Sequence, residues 1–393
     1  MKQIPFAKVA CDGNELKYLR EVLESGWLTT SEKAHRFEKE FAACVDARFA
    51  YAVNSCTAAL HLALEAVGVG PGDKVLVPTM TFTATAEVVR YLGADPIFID
   101  VEYGSCLVNQ AILAQSLNDH PDVKAFMPLH YGGQAVPISS ADSFGLLDLC
   151  RERGIRMVED AAHAFPTKCN GRMIGGIGDI ACFSFYANKT ITTGEGGMLT
   201  TNDEQIASRV KIMRLHGINR DVWDRYTAGK VSWEYDVVAP GYKYNMPDVA
   251  AAIGLAQLER ADLYRTERER CAQFYYDRLG AIDCIDLPLL HVPIADHAWH
   301  LFHIILKDNA PVSRNHFIEL MAERGIGTSV HYKPLHRMTY YREQYGLRPE
   351  DYPNAERIWK GCVSLPIYPS LTDEDLDYIC SNVAEILKIG ASA

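Results

Sequence analysis

The sequence has no run of lysine and arginine, and over its 393 residues 39 basic side chains face 50 acidic ones, for a net charge of −11. A chain so balanced has no patch to neutralise a phosphate backbone, which argues against a nucleic-acid partner and leaves small anions to be caught by local groups. No apolar stretch approaches the roughly 20 residues that span a bilayer. The opening MKQIPFAKVACDGNEL has no apolar core of a secretory signal, so the expected location is the cytoplasm. There is no CxxC pair. The 11 cysteines sit in apolar contexts such as DIACFSF and LDLCRERG, and an odd number fits no complete intrachain disulfide framework, so buried reduced thiols are expected. Internal repeats and low-complexity linkers are also missing.

What is present is the composition of an ordinary globular protein, 48% hydrophobic and 23% charged, long enough for one large and one smaller domain. Unbroken β-rich runs (KVLVP, PIFID, VKAFMP, IRMVED, DIACFSF) alternate with helical segments (SCTAALHLALEAVG, TATAEVVRYLG, GLLDLCRERG). Strands without polar alternation are those covered on both faces, so the pattern predicts an α/β fold with a mainly parallel sheet. Near residue 245 the pattern changes: NMPDVAAAIGLAQLERADLYRTERERCAQFYYDRL reads as one long helix with Asn245 in a capping position. The strand-like HLFHIIL and TSVHY and the helical RNHFIELMAERG and DEDLDYICSNVAEIL then suggest a smaller α+β unit.

The stretch FSFYANKTITTGEGG, residues 183–197, places Lys189 between a buried strand and a loop of threonine and glycine. Such an amine becomes a nucleophile toward aldehydes when its surroundings lower its pKa. Upstream, VEDAAHAF ends a strand with Asp160, at the sheet edge where ligands of α/β proteins gather. That carboxylate suits either a helix cap or a protonated pyridine nitrogen. NSCTAAL offers the backbone amides of Cys56 and Thr57 at a helix start, for Ser55 to cap or for a phosphate to occupy. Phe82, in TFTATA, is either a core residue or a face for a flat cofactor. An amine, an anion for a ring nitrogen, a phosphate nest and a stacking face are together the requirements of pyridoxal 5'-phosphate.

In order along nearly the whole chain, SGWLTT, NSCTAALHLAL, TMTFTATAEVVRYLGADPIFIDV, VEDAAHA, FSFYANKTITTGEGGMLTT, RLHGINRDVWDRY, PGYKYNMPDVAAAIGLAQL and HAWHLF resemble the DegT/DnrJ/EryC1/StrS family of sugar aminotransferases. Within it the chain is most similar to the branch of the UDP-4-amino-4-deoxy-L-arabinose–oxoglutarate aminotransferase. The resemblance implies the aspartate-aminotransferase fold, also called pyridoxal-phosphate fold type I. It implies a large cofactor-binding domain over residues 1–250, its N-terminal segment partly associated with a smaller domain over 251–393. It also implies a homodimer with shared active sites.

By the same resemblance Lys189 carries the cofactor as a Schiff base, Asp160 pairs with the ring nitrogen, and His163 contacts the phenolic side. Ser184 and the amides of Cys56 and Thr57 take the phosphate, Phe82 stacks, and Asn245 reaches the phosphate of the neighbouring subunit. Thr30, Arg225, Lys230 and His331 are implied at the substrate, with Lys243, His300 and Lys333 adding to a local cationic patch and His336 nearby. TTSEK replaces the family's TTGPK, so Ser31 and Glu32 stand at the expected substrate mouth. The implied reaction moves an amino group from L-glutamate to a nucleotide-linked keto sugar, at C4 of a UDP sugar. A C3 reaction on a dTDP or UDP sugar is the alternative. Family members that dehydrate sugars replace the lysine with histidine, which Lys189 argues against.

Overall fold

The apolar runs become strands because helices cover them on both sides. The computed structural model describes residues 2–139, 144–219 and 235–389. Among these residues nine strands precede residue 202: β1 (Phe49–Val53), β2 (Lys74–Pro78), β3 (Asp95–Ile99), β4 (Ala125–Phe126), β5 (Arg156–Asp160), β6 (Lys168–Cys169), β7 (Arg172–Met173), β8 (Ile180–Ser184) and β9 (Gly197–Thr201). Seven of them form one sheet in the order β1-β9-β8-β5-β4-β2-β3, while β6 and β7 make a separate two-stranded hairpin. The neighbours from β3 to β8 pair in parallel; β9 runs antiparallel to both β8 and β1. The mainly parallel α/β architecture is therefore as the sequence pattern implied, with one reversed strand.

That reversal has a local cause. Residues 185–196 contain no crossover helix, so the chain returns beside β8, pairing Ser184 with Gly197. A parallel neighbour would need a crossover of a dozen or more residues, commonly helical.

The expected long helix is in fact two, Asp248–Leu258 and Ala261–Leu279. Arg260, at φ −107° and ψ 0°, interrupts the helical geometry. Side chains hold the break: Glu259 accepts from the Asn14 amide (2.7 Å) and from the Tyr18 hydroxyl, and Asp12 accepts from Arg260 (3.3 Å) and Tyr264 (2.7 Å). Nor does Asn245 cap the first piece, whose N-cap position is Pro247. Asp248 instead serves another helix. Its carboxylate accepts the backbone N–H of Ser31 (2.7 Å), Lys33 (3.0 Å) and Ala34 (3.0 Å) together with the Ser31 hydroxyl, satisfying the start of helix Glu32–Cys44. Ser31 is thus a buried anchor for this cap.

Two hydrophobic cores result. The first takes the large sheet and its helices, including Phe37, Phe41, Phe183 and Phe185, and extends through Ala251–Ala256 to Tyr264. The second takes Cys271, Tyr275 and Leu279 and a three-stranded antiparallel sheet of β10 (Ile285–Asp286), β11 (Phe302–Leu306) and β12 (Cys362–Leu365). Helices Arg314–Glu323 and Asp373–Ile389 pack on it, and Ile4 joins it through a bridge to Ile326. TSVHY, expected as a strand, makes one bridge, Ser329 to Ser364. Among the described residues no helix is long and apolar enough to cross a membrane.

Removing the Asp248 carboxylate leaves three backbone donors at a buried helix start without an acceptor. Asp248→Ala is expected to lower stability by about 2–4 kcal/mol, and Asp248→Asn by less, because one amide oxygen still accepts. Urea unfolding followed by circular dichroism measures both, and equal losses would contradict this account.

Candidate active site

The carboxyl ends of β1, β2, β5 and β8 open on one cavity of about 480 Å³, within the range of small-molecule sites. Strand alternation turns neighbouring residues of β5 to opposite sides. Glu159 goes into the core against His130, 2.9 Å away, whose other ring nitrogen accepts the Val136 N–H. Asp160 faces the cavity, only 3% exposed. One of its oxygens accepts from the Thr85 hydroxyl (2.7 Å) and the other from the Ala162 N–H (3.1 Å). No basic side chain pairs with it among the described residues. Burial raises its pKa, opposed by Thr85, Ala162 and the charge of Lys189.

Lys189 lies in the loop that β8 and β9 close, its backbone N–H bonded to the Tyr186 carbonyl (3.0 Å). Burial of the amine brings its pKa down to about 8, against the pull of Cys56 and Asp160. Burial also pushes the Cys56 thiol up, so that residue is uncharged at neutral pH and Asp160 is the anion that matters. The Lys189 Nζ is 3.5 Å from His300 Nε2, and the His300 ring lies 4.3 Å from that of His163. His163 Nδ1 accepts the Gly132 N–H (3.2 Å), leaving its Nε2 to meet the Tyr332 hydroxyl at 2.9 Å. Burial drives the pKa of His163 and His300 far down, and that of His331 to about 4.

These shifts correct one expectation from the sequence. His300 and His331 are neutral at physiological pH and add no positive charge to a substrate patch. His336 is fully buried between Thr79 (2.8 Å) and Glu356 (2.6 Å), a structural position. Lys243 is exposed and bonded to Asn245 (2.6 Å), and Lys333 is exposed.

At the other end of the cavity the helix Cys56–Ala66 begins. Ser55 caps it by accepting the Ala58 N–H (3.1 Å), while the amides of Cys56 and Thr57, in the first turn, have no intrahelical acceptor. Both residues line the cavity. Gly197 makes this approach feasible: a Cβ there would stand 2.6–2.7 Å from the Ser55 carbonyl group and the Cys56 nitrogen. Ser184 lines the same end, its hydroxyl accepting the Tyr186 N–H (3.3 Å). Phe82 stands at the rim, 56% exposed, its ring 6.0 Å from Tyr332.

Cys56, Thr57, Phe82, Asp160, His163, Ser184, Lys189 and His331 are therefore brought together. Thr30 and Asn245 are not among the lining residues. They bond to each other (2.6 Å), and Thr30 also donates to the Met246 carbonyl (2.6 Å). Arg225 and Lys230 lie outside the described residues. Sequence reasoning missed Thr85 and Tyr332, although both fall in segments it singled out.

The arrangement could hold pyridoxal phosphate. Asp160 has no cationic partner of its own and suits a ring nitrogen that carries a proton. The free helix-start amides and Ser184 suit a phosphate, and the buried His300 Nδ1 and Asn188 Oδ1 lack any partner among the described residues.

The sequence pattern of the DegT/DnrJ/EryC1/StrS aminotransferase family matches residues 10–384. The spore coat polysaccharide biosynthesis protein SpsC of Bacillus subtilis (strain 168) is 43% identical over 387 residues, 98% of this chain and 97% of that protein. Among solved structures, Spr1654 from Streptococcus pneumoniae in its PMP form superposes with a TM-score of 0.88 at 30% identity, covering 99% of this chain and all 100% of the other. Helicobacter pylori PseC, an aminotransferase involved in the biosynthesis of pseudoaminic acid, gives 0.89 at 25% identity with the same coverage.

A buried amine with a pKa of about 8 is expected to react with added pyridoxal phosphate at a rate that climbs with pH through a midpoint near 8 and levels off above it, well below an exposed lysine's range near 10.4. Asp160→Asn should move that midpoint lower, because the carboxylate's charge favours the protonated amine. Stopped-flow absorbance on cofactor-free protein reads both, and a midpoint near 10 would mean a solvated amine.

Proposed function

Because the chain belongs to the DegT/DnrJ/EryC1/StrS aminotransferase family, and is a pyridoxal-phosphate-dependent sugar aminotransferase of the type I fold, we propose that it transfers an amino group from L-glutamate to C4 of a UDP-linked keto sugar for cell-surface glycan synthesis. The observation that carries this reading is the juxtaposition of a buried, weakly basic Lys189 with a buried, unpaired Asp160 in one cavity. The names of SpsC, in spore coat polysaccharide biosynthesis, and PseC, in pseudoaminic acid biosynthesis, support a role in building surface carbohydrate. The C4 and UDP assignments rest on the branch that the motifs resemble.

When bound, pyridoxal phosphate supplies an electron sink for the pair left behind when a proton leaves the amino-bearing carbon. The protein's part is to orient and to move protons. Lys189 is the covalent anchor and then, as a free amine of pKa about 8, can take and return that proton near neutral pH. Asp160 is assigned to hold the ring nitrogen protonated. A cation placed against it would reverse the upward push of burial and keep it ionised. His163, neutral and fixed between Gly132 and Tyr332, can hydrogen-bond without adding charge. The Cys56 and Thr57 amides and Ser184 would hold the phosphate, and Phe82, at the rim, would offer its face to the ring.

Thr30, Asn245, Arg225 and Lys230 are assigned to the active site of a partner subunit, in a homodimer. The Asn245 amide stands beside Thr30, outside the cavity of its own chain, where a neighbour could meet it. His331, neutral at the cavity wall, is assigned to the sugar side.

Mass spectrometry after incubation with glutamate and a panel of UDP- and dTDP-keto sugars tests the substrate. The expected product is a UDP-4-amino sugar; a 3-amino product would overturn the C4 assignment, and turnover of plain amino-acid pairs alone would overturn the sugar. Lys189→Ala should bind the cofactor yet be inactive, and Asp160→Asn should lose roughly a thousandfold or more in kcat. Mixing Lys189→Ala subunits with subunits altered at Asn245 and Arg225 should restore partial activity, whereas no recovery would mean that each site is built from one chain.

A further inference from the structure

A second concavity, of about 940 Å³, shares no lining residue with the Lys189 cavity. It lies at the seam of the two cores. Helix Pro353–Gly361, which contributes to it, packs Ala355 and Ile358 into the first core, while Leu306, also in its wall, belongs to the second. Tyr103 and the start of helix Arg314–Glu323 complete the wall.

Among the described residues five cations line it, Lys307, Arg314, Arg337, Arg357 and Lys360. The carboxylates in the same wall are Asp308 and Glu356. This excess of positive charge stands in a chain whose net charge is −11. Three of the cations are already matched: Arg337 holds Glu356 through two N–H groups, Lys360 pairs with Asp308, and Lys307 with Asp286 at 3.0 Å. Arg314 and Arg357 make no ion pair within 4 Å among the described residues.

Aromatic rings hold these two guanidiniums in place. Arg357 lies 3.8 Å from the centre of the Tyr103 ring, and Arg314 lies 4.4 Å from that of Trp359. A guanidinium resting its face on a ring keeps its N–H edge for a planar or tetrahedral oxyanion. Arg314 uses part of that edge on the Asn315 side-chain oxygen (2.7 Å) and the Cys362 carbonyl (3.4 Å), and no intramolecular acceptor takes the N–H groups of Arg357 among the described residues. Tyr103 is itself fixed by donating to Asp286 at 2.7 Å.

We propose that this concavity binds a small molecule bearing a diphosphate group, at a site separate from the reacting one. Two pre-oriented arginines without carboxylate partners suit bidentate phosphate recognition. The volume admits a ligand as large as a nucleoside diphosphate. Because the wall draws on both cores, an occupant would link them and stabilise the folded protein by mass action.

Isothermal titration of the cofactor-loaded enzyme with inorganic pyrophosphate tests the site, with UDP, ADP and uridine as further arms. Saturable pyrophosphate binding is expected, weakening as salt rises. Arg314→Ala/Arg357→Ala should weaken it by at least about tenfold, while Lys189→Ala leaves it unchanged. UDP and ADP should compete with pyrophosphate and uridine should not, which separates recognition of the diphosphate from recognition of the base. If the double substitution unfolds the protein, Arg357→Gln, at an exposed position, carries the same test. No saturable pyrophosphate binding, or equal affinity in the arginine variants, would overturn the proposal whatever the sugar assays give.

Discussion

The antiparallel return of β9 against β8 is the constraint on which the rest of the site depends. Pairing Ser184 with Gly197 closes the loop of residues 185–196 at its base, which holds Lys189 in the cavity wall beside Asp160 and the neutral His300. The same strand brings Gly197 against the first residue of helix Cys56–Ala66, and β8 sits beside β5, whose last residue is Asp160. One reversed strand thus sets the relative positions of amine, carboxylate and helix start. The strong burial of β8, with Phe183 packed on Phe41 at 5.0 Å, keeps that geometry from relaxing.

The electrostatics follow from this burial. Three histidines stand around the cavity, and desolvation keeps all of them neutral, while the buried Asp160, which lines it together with the exposed Glu195, has no ion-pair partner among the described residues. A buried carboxylate without an ion-pair partner, beside helix-start amides without an intrahelical acceptor, is costly to maintain in the protein alone. It becomes favourable once a ligand brings a protonated nitrogen to one end and a dianionic phosphate to the other. In the proposed assignment the positive potential that a phosphate needs, in a chain of strongly negative net charge, would come from peptide dipoles at a helix end.

Much of this was legible in the sequence because the chemistry is local. The unbroken runs that end in Asp160 and Ser184 announced buried parallel strands, and Lys189, Cys56 and Thr57 follow strand ends directly. What was not legible depended on distant partners. Nothing near Asp248 shows that its carboxylate belongs to the helix at residue 32, and nothing near Glu259 shows the bonds to Asn14 and Tyr18 that break the long helix. The protonation of His300 and His331 was misread for a related reason: charge state is set by burial, and burial arises from packing against segments far along the chain. Tyr332 was passed over because its role appears only when its hydroxyl is seen beside His163.

The capping of helix Glu32–Cys44 by Asp248 spans 217 residues of sequence. On a ribosome adding roughly 5–20 residues per second, the acceptor for that helix start emerges about 10–40 s after the helix itself. During that interval the helix has its amphipathic face but no acceptor for its first amides, and Ile4 still lacks the Ile326 strand partner it will bridge. Helix Glu32–Cys44 is therefore made well before the carboxylate that secures its start, which leaves its first amides to water for a defined interval in the nascent chain.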